Sequence, residues 1–339
     1  MDSCTSLASI SDPSSDVNGQ THHEAGSRKL CPVCGRDGAS EWLRAPDHFH
    51  GLQDLYTLVR CPECSFVWQL NVPKPAEMYR HYTDAYHRLI SASGQNTPHR
   101  WHARKAALAP HKQSGALLDI GCSSGAFLES LKDGPWTLYG IEMSADTAKI
   151  AEQRSGAQVF VGDVPDASFA PESLDVITCF DVLEHVYDPR QVMIKVEEWL
   201  KPGGIFYLLV PNIDSAEAKV FGSYWHGLEL PRHLSHFSPV SLKYLAESVG
   251  LQEVSVVTRR NPAVGTSLRY FWDDIFRSVG IRRTPVAYRE EAGFVWRAGR
   301  KLVRMTVLRA LLAMAPLVGG GESIHAVFRK EGKTTGASE

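Results

Sequence analysis

The sequence predicts an α/β protein: a parallel sheet wrapped by helices, with a small cysteine-rich module ahead of it and a helical insertion before the last strand. Three observations carry this. From Ala116 onward, short apolar runs alternate with amphipathic segments. The apolar runs are continuous, as in strands buried on both faces. Two Cys-x2-Cys pairs precede that region. At 339 residues the chain can bury one full core and still carry a smaller appendage.

Residues 1–28 are rich in Ser, Asp, Asn and His and lack apolar periodicity. They read as a disordered tail, with no basic start and apolar run to make a secretory signal. "CPVCGR" and "CPECSF" then place Cys31, Cys34, Cys61 and Cys64 in two pairs separated by 26 residues. A two-residue gap lets both thiolates of a tight turn face one tetrahedral ion, and two such turns close a Cys4 zinc ribbon over residues 29–72. Pro32 and Pro62 favour the turns, and Gly35 permits a positive φ just after the second ligand. Four thiolates leave no open position, so this zinc is expected to be structural. Seven cysteines arranged this way imply metal in a reducing, cytoplasmic setting and not a disulfide framework. A net charge of −2 gives no case for nucleic acid. Nor do residues 41–60, where Arg44 and Arg60 are set against Glu41, Asp47 and Asp54.

The linking segment 73–113 opens with "PKPAEMYRHYTDAYHR", whose Tyr79, Tyr82 and Tyr86 share a helical face at a spacing that suits packing more than ligand contact. Within residues 114–331, "ALLDIG", "TLYGIE", "AQVFVGD", "LDVITCFD" and "IFYLLVPN" read as strands. "GAFLESLKD", "SADTAKIAEQRSG" and "DPRQVMIKVEEWLKPGG" read as the intervening helices, the last stopping at Pro-Gly-Gly. A helix capped by Ser238 and the strand "LQEVSVVTR" follow, and "ESIHAVFRK" alternates like a final edge strand. The insertion spans about 261–318, and 332–339 is a second disordered tail. Residues 294–318, "FVWRAGRKLVRMTVLRALLAMAPLV", combine an apolar face with five basic residues and no acid. A lid packed on the sheet, a dimer contact and an anionic membrane surface all fit that pattern, but Arg304 and Arg309 interrupt it too soon for a spanning helix.

The loop in "LLDIGCSSGAFL" is not built for phosphate. No lysine follows Gly125 until Lys132, and Ser123 stands where a dinucleotide loop needs its second glycine. Gly121 lets the chain leave the strand tightly, and Gly125 lets the helix start approach a ligand closely. Asp119 ends the first strand of this region and suits a cationic ligand. Glu142 ends the second, where an acid accepts both hydroxyls of a ribose. Asp163 ends the third, within reach of an adenine amine. A ribose, an adenine and a positive charge without phosphate describe S-adenosylmethionine.

"LLDIGCSSGAFL", "YGIEMS", "VGDV", "DVITCFDVLEHVYDP" and "LKPGGIFYLLVPN", in that order, resemble the motifs of class I S-adenosylmethionine-dependent methyltransferases over about residues 114–258, with a closing strand near 322–330. The resemblance implies a Rossmann-like sheet of seven strands with the last antiparallel, and a small-molecule methyl acceptor. It places Asp119, Gly121 and Gly125 around the methionine part, Glu142 on the ribose, Asp163 with Val164 at the adenine, and Phe180 with Asp181 near the transferable methyl.

Two histidines are candidates for the base that an acceptor hydroxyl or carbon acid requires. "LEHV" gives Glu184 and His185, a pair shared with quinone-pathway O-methyltransferases; His185 either acts as base or only orients its loop. "ELPRHLSHFSP" gives His233 and His236 and is similar to a segment of nucleotide-sugar C-methyltransferases, in which a histidine at the place of His233 serves as base. That group also has a zinc ribbon, yet the acid it carries just before the histidine is Arg232 here. His233 is the first choice and His185 the second. The acceptor is expected to be a sugar, a quinone or a lipid-linked metabolite. The rival reading is a catalytically silent methyltransferase-like module whose ribbon recruits a partner; the complete set of cofactor contacts speaks against it.

Overall fold

The computed structural model describes residues 30–83, 86, 98–260, 263–281, 284–288 and 320–332. The first tail, nearly all of the second, and the basic segment 294–318 lie outside them. Of the insertion, the helix Val264–Ser278 and a short turn at Val286–Tyr288 are described.

Seven strands form the main sheet: β4 (Gly115–Ile120), β5 (Trp136–Glu142), β6 (Gln158–Val161), β7 (Leu174–Phe180), β8 (Leu200–Pro211), β10 (Leu251–Arg259) and β11 (Ser323–Lys330). Their order across the sheet is β10-β11-β8-β7-β4-β5-β6. The five strands from β4 to β8 run parallel, and β11 is antiparallel to both neighbours. This is the Rossmann-like sheet that the motifs imply. One detail differs: the closing strand lies inside, between β8 and β10, and β10 holds the edge. Ile324, Ala326 and Phe328 of β11 are fully buried, so its alternation marks a covered strand. The chain runs outward from β4 through β5 and β6, then returns to β7 on the other side of β4. The crevice beyond the carboxyl ends of β4 and β7 is therefore the switch point at which such sheets bind ligands.

Helix ends follow local chemistry. Ser144 Oγ accepts from Thr147 N, and Gly156, at φ +73°, ends that helix. Ser238 caps helix Pro239–Glu247 through Ser241 N. Two helices are shorter than the pattern predicts. The first stops at Glu129, where Ser130 Oγ donates back to Phe127 O at 2.6 Å and competes with the helical ladder. Helix Pro189–Trp199 stops at Leu200, ahead of Pro-Gly-Gly, because Pro202 favours extended backbone before it and β8 has already begun pairing.

The N-terminal module is a smaller sheet of β1 (Ser40–Pro46), β2 (Leu55–Arg60) and β3 (Val67–Gln69). A fourth strand, β9 (Ser235–His236), comes from far along the chain and pairs with β3 through Val67↔His236 and Trp68↔Ser235. Phe66 packs on Phe237 at 5.4 Å between ring centroids. Cys31, Cys61, Cys64, Phe66 and Trp68 belong to one apolar core with Leu242 and Leu245 of the main domain. Among the described residues no helix is long and apolar enough to cross a membrane.

Candidate active site and metal centre

At the end of β4, Asp119 is buried and its Oδ1 accepts from Thr178 Oγ1 of β7 at 2.6 Å. Burial pushes its carboxyl up to about 7, so a cation brought alongside would favour the ionised form. Gly121 turns at φ +69°, and a Cβ there would lie 2.4 Å from Val182. Gly125 turns at φ +74°, and what it approaches is the backbone of Ala151, 2.8 Å from the place of a Cβ. Glu142 ties the loops together: Oε2 accepts from Ser123 N and Oε1 from Ser144 N, both at 3.0 Å. Each carboxylate oxygen keeps a second lone pair. Beside it, Met143 is 74% exposed, an apolar surface that strand periodicity alone does not single out. Asp163 Oδ1 accepts from Val164 N at 2.7 Å, and the Val164 side chain is buried.

Asp181, just past β7, adopts a left-handed φ of +57°. Two arginines of helix Pro98–Leu108 hold its carboxylate: Arg100, and Arg104 at 3.1 Å. Arg104 is itself buried, 4.1 Å over the Phe180 ring and 4.8 Å over Trp101. Neither arginine was flagged by sequence reasoning. Their four-residue spacing puts both on one helix face, but nothing local indicates that the face meets Asp181.

One side-chain nitrogen or oxygen from each of Glu184, His185 and His233 sits within 4.8 Å of the others. The imidazoles of His185 and His233 meet edge to face, with centroids 4.6 Å apart. His185 Nδ1 is 3.1 Å from Arg232 O and 3.2 Å from Tyr82 OH. A carbonyl only accepts, so Nδ1 carries the proton and Nε2 the lone pair. That Nε2 has no partner among the described residues. His233 is differently placed. Its Nδ1 is 2.9 Å from Gly227 O, and Nε2 faces Glu229 Oε2 at 3.5 Å. Glu229 thus stands beside the histidine where an acid is missing from position 232. Burial lowers the pKa of both imidazoles, and both are neutral at pH 7. Glu184 is buried with Oε2 unpartnered, and burial raises its carboxyl well above the usual range.

Arg232 is fully buried beneath this pair. Its Nε donates to Glu229 Oε1 at 3.2 Å and its Nη1 to His81 O at 3.2 Å, and Nη1 lies 3.8 Å from Asp47 Oδ2. Phe49 and Tyr86 stack on the guanidinium. Asp47, His50 and His81 could hold an ion by residue type. The guanidinium, 3.4 Å from His50 Nδ1, already supplies the cation there.

In the N-terminal module, Cys31 and Cys64 sulfurs are 3.5 Å apart, as are those of Cys34 and Cys61. All four lie within 4.8 Å of one another. These separations are far too long for disulfides. They are close to the roughly 3.8 Å that a tetrahedral ion with bonds of about 2.3 Å to sulfur imposes. The two knuckles match. Gly35 N and Ser65 N donate to the carbonyls of Cys31 and Cys61, with φ +71° and +58°.

A family of methyltransferase domains matches residues 93–256. A ubiquinone biosynthesis O-methyltransferase of Thiobacillus denitrificans is 32% identical over 165 residues, covering 45% of this chain and 69% of that one. One from Pseudomonas putida is 30% identical, covering 46% and 71%. For the Nitrosomonas europaea enzyme of the same name the covered share is 65%, so the chain spans about two thirds of such relatives. The solved S-adenosylmethionine-dependent methyltransferase of Archaeoglobus fulgidus superposes with a TM-score of 0.50 at 16% identity, over 73% of this chain and all of the other, a likeness of fold. With the sheet order, the glycine loop and the acids at successive strand ends, these similarities make the chain a member of the class I S-adenosylmethionine-dependent methyltransferases.

Proposed function

We propose that this enzyme methylates an acidic hydroxyl of a small molecule, with His185 as the base that takes the hydroxyl proton. The open Nε2 of His185 carries the reading. His233, the first choice from sequence, has Nδ1 on the Gly227 carbonyl and Nε2 facing Glu229, so both of its nitrogens are turned to protein groups and away from an acceptor. S-adenosylmethionine, when bound, supplies a methyl group on a cationic sulfur open to in-line attack. The residues at the strand ends fit it. Asp119 and Gly121 lie at the methionine part, Glu142 offers its remaining lone pairs to the ribose, and Met143 gives the adenine an apolar face. Asp163 and Val164 meet the adenine edge, Gly125 sets the helix start, and Phe180 and Asp181 border the methyl. Arg100 and Arg104 hold Asp181 and offer the methionine carboxylate a cationic neighbour.

The chemistry at His185 selects the acceptor. An imidazole with a lowered pKa can share the proton of a phenol-like hydroxyl, near pKa 10, far more readily than that of an alcohol. The hydroxyl would also give Glu184 Oε2 the partner it lacks. Arg232 is already neutralised by Asp47 and Glu229, which favours an unphosphorylated reacting group. Relatives named for O-methylation point the same way. The four module cysteines hold a structural zinc in this reading, and the enzyme works on a soluble or lipid-linked metabolite.

Catechol serves as the probe. With methyl-labelled S-adenosylmethionine the zinc-loaded protein should place the label in the monomethyl ether. Label on carbon, or no transfer to catechol while an amine accepts it, would overturn the O-methylation reading. For the cofactor, Glu142→Ala should weaken S-adenosylhomocysteine binding by roughly 30- to 100-fold, about 2–3 kcal/mol, as a charge-assisted pair of contacts is lost. Calorimetry showing wild-type affinity would remove Glu142 from the ribose.

A further inference from the structure

One of the places where the cysteine module meets the main domain is a buried ion pair. The turn after β1 carries Asp47 into the buried space next to Arg232, and neither side chain has any exposed surface. Asp47 is closed in there: Oδ1 accepts from His50 N at 3.0 Å, Oδ2 lies 2.7 Å from His50 Nδ1 and 3.5 Å from His81 Nδ1. Arg232 is in turn held by Asp47, Glu229, the His81 carbonyl and the rings of Phe49 and Tyr86. Asp47 and Phe49 are module residues. The backbone carbonyl of Arg232 receives His185 Nδ1–H, and the next residue is His233. Glu229, on the other side of the guanidinium, faces His233 with its second oxygen. Two residues further along, β9 adds itself to the module's own sheet.

We propose that Asp47, through Arg232, is a positioning residue for the acid–base pair, so that the cysteine module is a working part of the acceptor site. Resting on His185 as the base, the inference assigns to Asp47 the fixing of its tautomer. The carbonyl of Arg232 can hold Nδ1–H, and so present Nε2 as a lone pair, only while the segment 229–233 stays where the buried guanidinium pins it. Without the Asp47 charge the buried guanidinium keeps Glu229 as its charged partner on one side alone, and the segment moves toward that side. Hydrogen bonds to the far nitrogen of an imidazole set which nitrogen is free. The groups facing His185 are Tyr82, Asp181, Glu184, Glu229, Arg232 and His233. Of the charged ones, Arg232 and Glu229 share the segment that Asp47 holds.

The test uses the full zinc-loaded chain with 15N-labelled histidine. In the wild type, the His185 resonance, assigned by its loss in His185→Asn, should report Nδ1–H and titrate below 6.5. Asp47→Asn keeps the shape and removes the charge. It should mix the two tautomers, move the His185 midpoint, and lower catechol turnover by on the order of 10- to 100-fold, with S-adenosylhomocysteine affinity unchanged. If Asp47→Asn does not fold, Arg232→Lys, which keeps the charge but not the fork, is read in the same way. A folded variant with wild-type His185 tautomer, midpoint and turnover overturns the proposal. Normal turnover in His185→Asn instead removes the base assignment, and the tautomer measurement still judges what Asp47 does to His185.

Discussion

His185→Asn should lower turnover by roughly 10²- to 10⁴-fold while leaving cofactor affinity unaltered, the loss expected when a positioned base is removed from a proton transfer. Asparagine retains a polar group of similar reach and can still donate to Arg232 O, so packing against Tyr82 and His233 is largely kept. What disappears is the lone pair at Nε2. His233→Asn should do less, on the order of tenfold, because both ring nitrogens of His233 already face protein groups and its effect on chemistry runs through His185. The pH dependence has a definite sign. The base must be neutral, and burial lowers its pKa from 6.5. Activity is therefore full at neutral pH and falls only as the pH drops through a value below 6.5, and this acid limb should vanish in His185→Asn. Equal losses in the two variants, or an acid limb that survives in His185→Asn, would move the base to His233.

The candidate cofactor crevice was largely legible in the sequence because its parts are local. Asp119, Gly121, Glu142 and Asp163 each stand at or just past the carboxyl end of a parallel strand, where a ligand must meet the sheet. The acceptor side was legible in its histidines but not in their roles. Which imidazole has a free nitrogen depends on a carbonyl 47 residues away for His185 and on an αL residue, Glu229, for His233. In the sequence Arg232 is a departure from a pattern, an acid replaced by a base. In the fold the acid is there, three residues earlier in sequence, and Arg232 pairs with it through Nε at 3.2 Å. Arg100 and Arg104 lie some eighty residues from the aspartate they hold. No periodicity carries that information, since it depends on where a connecting helix settles over a sheet end. The same limit applies to the closing strand, whose alternation fixes its two faces but not its neighbours.

Removing zinc should have the other large effect, and it should reach well beyond the module. Structural zinc sites of this type carry apparent binding free energies of about 10–16 kcal/mol near pH 7, far more than three short strands can supply by packing. β3 has only three residues, and the apolar side chains around the knuckles, Val33, Phe66 and Trp68, are continuous with the main core. Stripped of metal by a strong chelator, the module should lose its order, and with it the partner strand of Ser235–His236 and the anchor at Asp47. Catechol turnover should then fall at least as far as in Asp47→Asn. The glycine loop, Glu142 and Asp163 lie at strand ends of the main sheet and make none of these contacts, so S-adenosylhomocysteine affinity should stay within about threefold of the holoprotein. Thiolate ligands would be protonated at lower pH, which weakens their hold on a metal, so the chelator should act faster in mild acid than at neutrality. Metal analysis before and after, with calorimetry and turnover on the same sample, separates the cases. One zinc removed with turnover retained would make the module an appendage, and the absence of zinc from protein grown with adequate metal would end the assignment of the four cysteines.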